Sequence, residues 1–137
     1  MKIAYLFPGL NNKSSITLFQ DLISVIKTNQ KEKENEIDIY YFDYKVNLNF
    51  EGKIRQINFW DILPINDYDI IHSTGIRPNL YIYLHKNKIN KKTKCITTIH
   101  SFIYKDFKNQ FNVIFAFLFS KVWYTILKSQ DCVVVLT

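Results

Sequence analysis

Two short apolar runs of this chain end in histidine, serine and threonine side chains. The first spans residues 68–74 and includes His72, and the second spans residues 95–101 and ends in His100 and Ser101. Apolar runs of this length are typical of parallel strands that are buried on both faces. Because ligands bind outside the carboxyl ends of such strands, we expect one shared crevice at the ends of these two strands.

His100 is the candidate catalytic residue of this crevice. The hydroxyl groups of Thr97, Thr98 and Ser101 lie near it in sequence and could orient its imidazole for acid–base chemistry. His72 lies deeper in its apolar run. It is therefore either a substrate-binding residue or a core histidine that is bonded to a backbone carbonyl.

Three further candidate binding residues follow predicted strands. Gly9 lies between a strand and a helix, where a glycine either lets a phosphate or hydroxyl approach backbone N–H groups or simply forms a turn. Gly75 and Arg77 precede the next predicted helix. Arg77 could bind an anion at the start of that helix, or it could pair with a carboxylate such as Asp69 or Asp106.

Several other kinds of chemistry are not supported. The chain has no glycine-rich phosphate-binding motif, no metal-ligand cluster and no paired carboxylates, so we expect neither a metal nor another cofactor. Cys95 and Cys132 lack the spacing of a disulfide framework, which favours a reducing compartment. The net charge of +6 comes almost entirely from lysine, which argues against a nucleic-acid partner.

Strand and helix patterns alternate along the whole chain. We predict strands near residues 2–7, 37–42, 53–59, 70–72, 94–99 and 132–136, and helices after Ser14, at 78–88 and at 110–128. This order predicts a single α/β domain over residues 1–137, with a doubly wound, mostly parallel, Rossmann-like sheet of about six strands and helices on both faces.

The predicted helix at 110–128 is unusually aromatic. Phenylalanine, tryptophan and tyrosine occur almost all round it, and lysines lie nearby, a pattern that favours contact with a membrane surface or a partner, including a second copy. Its apolar stretch, residues 111–127, falls short of a bilayer span. We therefore expect a cytoplasmic protein that can associate peripherally with the inner face of the cytoplasmic membrane.

Four segments, in this order and spacing, resemble the N-terminal domain of family 4 retaining glycosyltransferases, which have two facing Rossmann-like domains (the GT-B architecture). The segments are residues 1–7, 69–78, 97–101 and 131–137. The resemblance implies the acceptor-binding half of an enzyme of cell-surface polysaccharide synthesis. That enzyme would move a hexose from a nucleotide-sugar to a glycan or lipid-linked acceptor with retention of configuration.

The resemblance also implies roles for individual residues. His100 is similar in position to the histidine that contacts the donor sugar, and Gly9 to the glycine beside the donor phosphates and the acceptor. The donor-binding domain of the family is absent from this chain, so we expect the chain alone to be inactive. The alternative is a non-catalytic α/β binding or scaffold module, such as a degenerate transferase.

Overall fold

The computed structural model describes residues 1–10, 14–29, 35–43, 50, 52–100 and 103–136, with the backbone alone at residues 14 and 15. The strands are β1 (Lys2–Phe7), β2 (Glu36–Tyr41), β3 (Lys53–Gln56), β4 (Ile70–Thr74), β5 (Lys94–Ile99) and β6 (Cys132–Val135). The helices are α1 (Ser14–Thr28), α2 (Ile76–His85), α3 (Ile103–Gln110) and α4 (Val113–Leu127). The predicted alternation of strand and helix is confirmed.

All of these strands are parallel and form one sheet in the order β3-β2-β1-β4-β5-β6. Chain connections run outward from β1 in one direction and from β4 in the other. Because such crossovers are right-handed, α1 and α2 are placed on opposite faces of the sheet. This is the doubly wound, Rossmann-like order, and the predicted fold class is confirmed.

Alternating residues of β1 separate two apolar cores. Tyr5 and Phe7 pack with Phe19 of α1 on one side, which we call the α1 face. Leu6 packs with Tyr81 of α2 on the other side, which we call the α2 face. The sheet is therefore covered by helices on both faces, as the apolar strands require.

Two helices bury fewer residues than their sequence pattern predicts. Leu18 and Leu22 of α1 are 47% and 41% exposed, although helical spacing predicts that they pack on the sheet. The buried row of α1 is narrower and passes through Phe19 and Ile23. On α2, Leu84 is likewise exposed, and the buried side of this helix consists of Pro78, Asn79, Tyr81 and Ile82.

The predicted helix at 110–128 is confirmed as α4, which begins three residues later than predicted. The segment before it, residues 100–109, has a polar and aromatic sequence that predicts a loop, and this prediction is wrong because α3 occupies most of the segment. The break lies at Asn112, whose side-chain oxygen accepts a hydrogen bond from the backbone N–H of Phe115 at 3.0 Å. Asn112 is thus an N-cap, and it starts a new helix.

No helix in the described parts of the chain is long and apolar enough to cross a membrane. Both cysteines are free thiols, Cys95 buried in the sheet and Cys132 exposed on β6.

Candidate functional site

The candidate site lies where β1 and β4 run side by side. Leu6 and Ser73 are the last paired residues of these strands, and the loops that follow leave the sheet toward opposite faces. This position is the topological switch point of the sheet, where open α/β sheets bind ligands. Gly9 and Gly75 lie on these two loops, and Arg77 lies in the first turn of α2.

Gly75 brings the two loops into contact. Its backbone has φ +85° and ψ 164°, a conformation that is essentially restricted to glycine. A Cβ atom at this position would lie 3.4 Å from Cγ of Pro8. Gly75 therefore allows α2 to begin directly beside the loop that follows β1.

Gly9 follows Pro8 in the loop after β1, and it is buried. Its backbone is outside the positive-φ region, so its conformation does not itself require glycine. The neighbouring Pro8 carbonyl accepts a hydrogen bond from the backbone N–H of Asp43 at 2.8 Å. The end of β2 is thereby held against the same loop.

Arg77 forms an ion pair with the carboxylate of Asp43. The two carboxylates that the sequence suggests as alternatives, Asp69 and Asp106, are not its partners. Asp69 lies at the amino end of β4, where it accepts the backbone N–H of Lys2 at 2.8 Å. The Arg77 side chain is 52% exposed, so this ion pair lies at the protein surface, in the first turn of α2.

His72 is held inside the α1 face. Its Nε2 lies 2.8 Å from the hydroxyl of Thr98, and its ring packs against Tyr5 and Phe19 at centroid distances of 5.4 and 5.0 Å. Burial, together with the nearby charge of His100, lowers the pKa of His72 to about 4. His72 is therefore neutral at pH 7 and is ordered by a side-chain hydroxyl rather than by a backbone carbonyl.

His100 directly follows β5 and packs edge-on against Phe19, with 5.9 Å between ring centroids. Its Nε2 is buried and has no hydrogen-bond partner among the described residues. Burial lowers its pKa below the usual value. A neutral imidazole with an unused ring nitrogen can bond to a ligand hydroxyl.

The predicted orientation of His100 by neighbouring hydroxyls is wrong for both threonines. Thr98 bonds to His72, since both side chains lie on the α1 face of adjacent strands. Thr97 points to the α2 face and donates to Oδ1 of Asn79 at 2.7 Å. Ser101, the third predicted hydroxyl, lies outside the described residues.

Phe19 connects the parts of the site. Its ring contacts both histidines, and it also packs edge-on against Phe7, the residue before Pro8, at 5.4 Å. Sequence reasoning missed Phe19 and Asp43 as site residues. The position of Asp43 immediately after a strand was an available signal, because that position lies at the carboxyl edge of the sheet.

Metal and thiol chemistry find no support in the described residues. They contain no group of three histidine, cysteine, aspartate or glutamate side chains that could hold a metal ion. Burial raises the pKa of the Cys95 thiol to about 11, so this thiol is protonated at pH 7 and is not a nucleophile.

Two curated sequences are similar to this chain along its whole length. Both are O-antigen biosynthesis glycosyltransferases named WclY from Escherichia coli, and each is 28% identical to the chain over 142 aligned positions. The alignments cover 100% of this chain and 39% of each relative, so the chain spans about two fifths of the relatives' length. No model of a known protein family matches the chain.

Proposed function

We propose that this chain is the acceptor-binding half of a glycosyltransferase of cell-surface polysaccharide synthesis. The observation that carries the proposal is the identity of 28% to two O-antigen glycosyltransferases over the full length of the chain. The doubly wound sheet adds support, because its switch point is a natural place for a ligand. Gly9, Gly75 and Arg77 lie on the segments that follow the two strands at this point.

The proposed reaction transfers a hexose from a nucleotide-sugar to a hydroxyl of a glycan or lipid-linked acceptor, with retention of configuration. The bond between the anomeric carbon and the diphosphate breaks, and its electron pair stays on the leaving oxygen. The acceptor oxygen forms the new bond, and its proton passes to the departing phosphate. In a family 4, GT-B arrangement a second domain would hold the donor, so this half alone would not catalyse transfer.

His100 is the proposed catalytic residue, which would contact the donor sugar. Its Nε2 is unpaired among the described residues, and burial favours the neutral ring. One nitrogen of a neutral imidazole donates a hydrogen bond and the other accepts one, so the ring can bond to a sugar hydroxyl without placing a full positive charge there. His72 would support this arrangement through its own edge contact with Phe19.

The remaining residues would bind substrate. Arg77 supplies a positive charge beside the start of α2, where an anionic group is also favoured by the helix dipole. Gly9 and Gly75 would let a substrate approach the backbone of the two loops, and Ser101, the next residue after His100 in the sequence, would add a hydroxyl. No cofactor or metal is required in this proposal.

We also propose that the protein works on the cytoplasmic side of the membrane as a peripheral protein. A lipid-linked acceptor is confined to the bilayer, so an enzyme that uses one benefits from binding the membrane surface. The exposed apolar side chains of α4 support this placement.

A non-catalytic α/β binding module is the second candidate. The ion pair between Arg77 and Asp43 favours it, because a carboxylate already occupies the guanidinium that would bind an anionic substrate. In this alternative the ion pair simply joins α2 to the end of β2.

Thermal unfolding in the presence of ligands tests the proposal. We expect acceptor oligosaccharides or lipid-linked sugars to raise the melting temperature, since a ligand that binds only the folded state stabilises it. Arg77→Gln should reduce this shift, whereas Arg55→Gln, a matched change of an exposed arginine on β3, should not. No shift with any acceptor or nucleotide-sugar would favour the non-catalytic module, and a shift with free nucleotide alone would contradict the acceptor-side assignment.

A further inference from the structure

A small cavity lies on the α2 face of the sheet, beside the edge strand β3. Its volume is about 300 Å³, which is sufficient for one small molecule. Side chains of three strands and of the segment before β4 line it, and they include Lys2, Asp38, Tyr40, Lys53, Arg55 and Tyr68. None of the described residues of the candidate site lines this cavity, so the two are separate.

Two buried tyrosines form one side of the cavity. Tyr40 and Tyr68 are 7% and 3% exposed, and their hydroxyl oxygens lie 2.6 Å apart. Tyr68 donates its proton to Oδ2 of Asp38 at 2.6 Å, so Tyr40 is the donor to Tyr68. Burial and the hydrogen bonds to Asp38 and Tyr40 raise the pKa of Tyr68, so its hydroxyl stays protonated. These bonds fix Asp38, and a carboxylate has further lone pairs for a ligand hydroxyl.

Two unpaired cations lie on the same face of the sheet. Lys53 and Arg55 of β3 are opposite Asp38 and Tyr40 of β2, and both line the cavity. Neither forms an ion pair with a carboxylate of the described residues. The remaining cation, Lys2, pairs with a glutamate outside the cavity at 3.7 Å. The cavity therefore contains two free positive charges and the single negative charge of Asp38.

Gly52 brings these cations to the cavity. Its φ is +134°, and a Cβ atom there would lie 2.5 Å from the carbonyl oxygen of Ile37, so only glycine fits. β3 can thus begin close to β2, with Lys53 as its first residue. Charges on an edge strand also oppose pairing with another sheet. That role does not require both charges to line one cavity with an aspartate and two hydroxyls.

We infer that this cavity binds an acidic sugar, that is, a hydroxylated ring that carries a carboxylate or a phosphate. The guanidinium of Arg55 can bind the anionic group through two parallel hydrogen bonds, and Lys53 adds a second positive charge. Asp38 can accept a hydrogen bond from a ring hydroxyl. A simple anion would face Asp38 without a proton to donate, and a neutral sugar would leave both cations unpaired. The choice of a sugar among hydroxylated anions rests on the proposed function.

The position of the cavity separates it from the proposed transfer step. Lys2 begins β1 and Tyr68 precedes β4, so the cavity extends toward the amino edge of the sheet. Phe7, at the carboxyl edge, is about 17 Å from Lys2 along β1. An acidic sugar in the cavity would therefore bind independently of a donor or acceptor at the switch point.

Isothermal titration calorimetry tests the inference on the 137-residue chain without donor or acceptor. We expect glucuronate to bind about tenfold or more tightly than glucose, which lacks the anionic group. Acetate and inorganic phosphate, which lack the ring, should also bind about tenfold or more weakly than glucuronate. Glucose-6-phosphate distinguishes the two anionic groups, since tighter binding than glucuronate would identify a phosphate-bearing sugar and weaker binding a carboxylate-bearing one.

Two variants assign the binding to this cavity. Arg55→Gln should weaken glucuronate binding about tenfold or more, whereas Lys92→Gln, which removes an exposed charge before β5, should leave it unchanged. Asp38→Asn can still accept the Tyr68 proton but no longer repels a simple anion. The affinity of this variant for glucuronate relative to acetate should therefore fall.

Four results would overturn the inference. They are an absence of glucuronate binding, equal affinities for glucuronate and glucose, equal affinities for glucuronate and acetate, and equal losses from Arg55→Gln and Lys92→Gln. The proposed function is tested separately, because acceptors are expected at the switch point, where Arg77 and not Arg55 should matter. Failure of either ligand response would leave the other unaffected.

Discussion

The two histidines of the site are both neutral at pH 7, yet their surroundings differ. His72 already has a hydroxyl partner, Thr98, whereas the buried Nε2 of His100 has none among the described residues. A side chain with an unused polar atom is the better candidate for contact with a substrate. The sequence identified both residues, but it could not assign Thr98 to His72. That assignment depends on which strands are neighbours.

The free energy of unfolding should fall as the pH decreases from about 6.5 to about 4. Burial and the charge of His100 lower the folded-state pKa of His72 to about 4, whereas the unfolded chain has the ordinary value of about 6.5. The unfolded state therefore binds more protons than the folded state between pH 6.5 and pH 4. At pH 4 this difference lowers the free energy of unfolding by about 3 kcal/mol. His100 adds a smaller effect of the same sign.

His72→Gln is the variant that checks this expectation by urea unfolding at several pH values. Glutamine can keep a hydrogen bond to Thr98 but does not titrate, so the loss of stability between pH 6.5 and 4 should become clearly smaller. An unchanged pH dependence would mean that other groups cause it. Tyr5, which also faces His72, stays protonated throughout this range because burial raises its pKa.

Gly75→Ala should destabilise the protein by about 1–3 kcal/mol. The backbone at Gly75 is strained for any residue with a Cβ atom, whereas the new methyl group itself would only make ordinary contact with Pro8. Denaturant unfolding measures the loss. Asn87→Ala, at an exposed site after α2, is the control and should change stability by less than about 0.5 kcal/mol. Equal effects of the two variants would contradict the role given to Gly75.

At the scale of elements, α3 and α4 depend on one side chain at their junction. Asn112→Ala should cost about 1 kcal/mol, because it removes the only side-chain acceptor for the Phe115 N–H in the described structure. Asn112→Asp should keep most of the stability. Asn109→Ala, in the last turn of α3, tests whether any asparagine in this region matters equally, and we expect almost no effect. Thermal unfolding and helical circular dichroism report both changes.

The sequence predicted strands better than helix ends. The run around Ile96, for example, is short and apolar, and this pattern is sufficient to predict a strand that is buried on both faces. Residues 100–128 were harder, since apolar residues lie almost all round α4 and hide its helical period, and the decisive signal is the single cap at Asn112. The exposure of Leu84 and Leu22 could not be foreseen either, because it depends on how much sheet each helix covers.

At the scale of the whole molecule, β6 forms an open edge in the described structure. Val133, Val134 and Val135 are 39%, 38% and 60% exposed, and β6 pairs with β5 alone. An exposed edge of apolar residues can pair with the same edge of another molecule. We therefore expect the 137-residue chain to self-associate as its concentration rises.

Val134→Lys should reduce this self-association, because a charge on an edge strand opposes pairing. Sedimentation velocity without lipid measures the effect. Val25→Lys, on the exposed side of α1, is the control for the added charge and should leave association unchanged. Association that survives Val134→Lys would place the contact elsewhere.

The fold class could be predicted from the alternation of strands and helices along the chain. The contacts within the candidate site could not be predicted without knowing the order of the strands in the sheet. Asp43 and Arg77 are 34 residues apart and meet because β2 and β4 lie on either side of β1. The sequence offered Asp69 and Asp106 as partners, since nothing local distinguishes one aspartate from another. Contacts between residues that are far apart in the chain depend on the order of the strands in the sheet. That order cannot be read from a single sequence.

The different surroundings of the two cysteines allow the protein to be labelled without any substitution. Cys95 is buried and its pKa is raised to about 11, whereas Cys132 is exposed on β6. Thiol reagents attack the thiolate, so they should modify Cys132 and leave Cys95 intact. A fluorophore or spin label at Cys132 would report on the open edge of the sheet in the unaltered protein, as molecules associate or as vesicles are added.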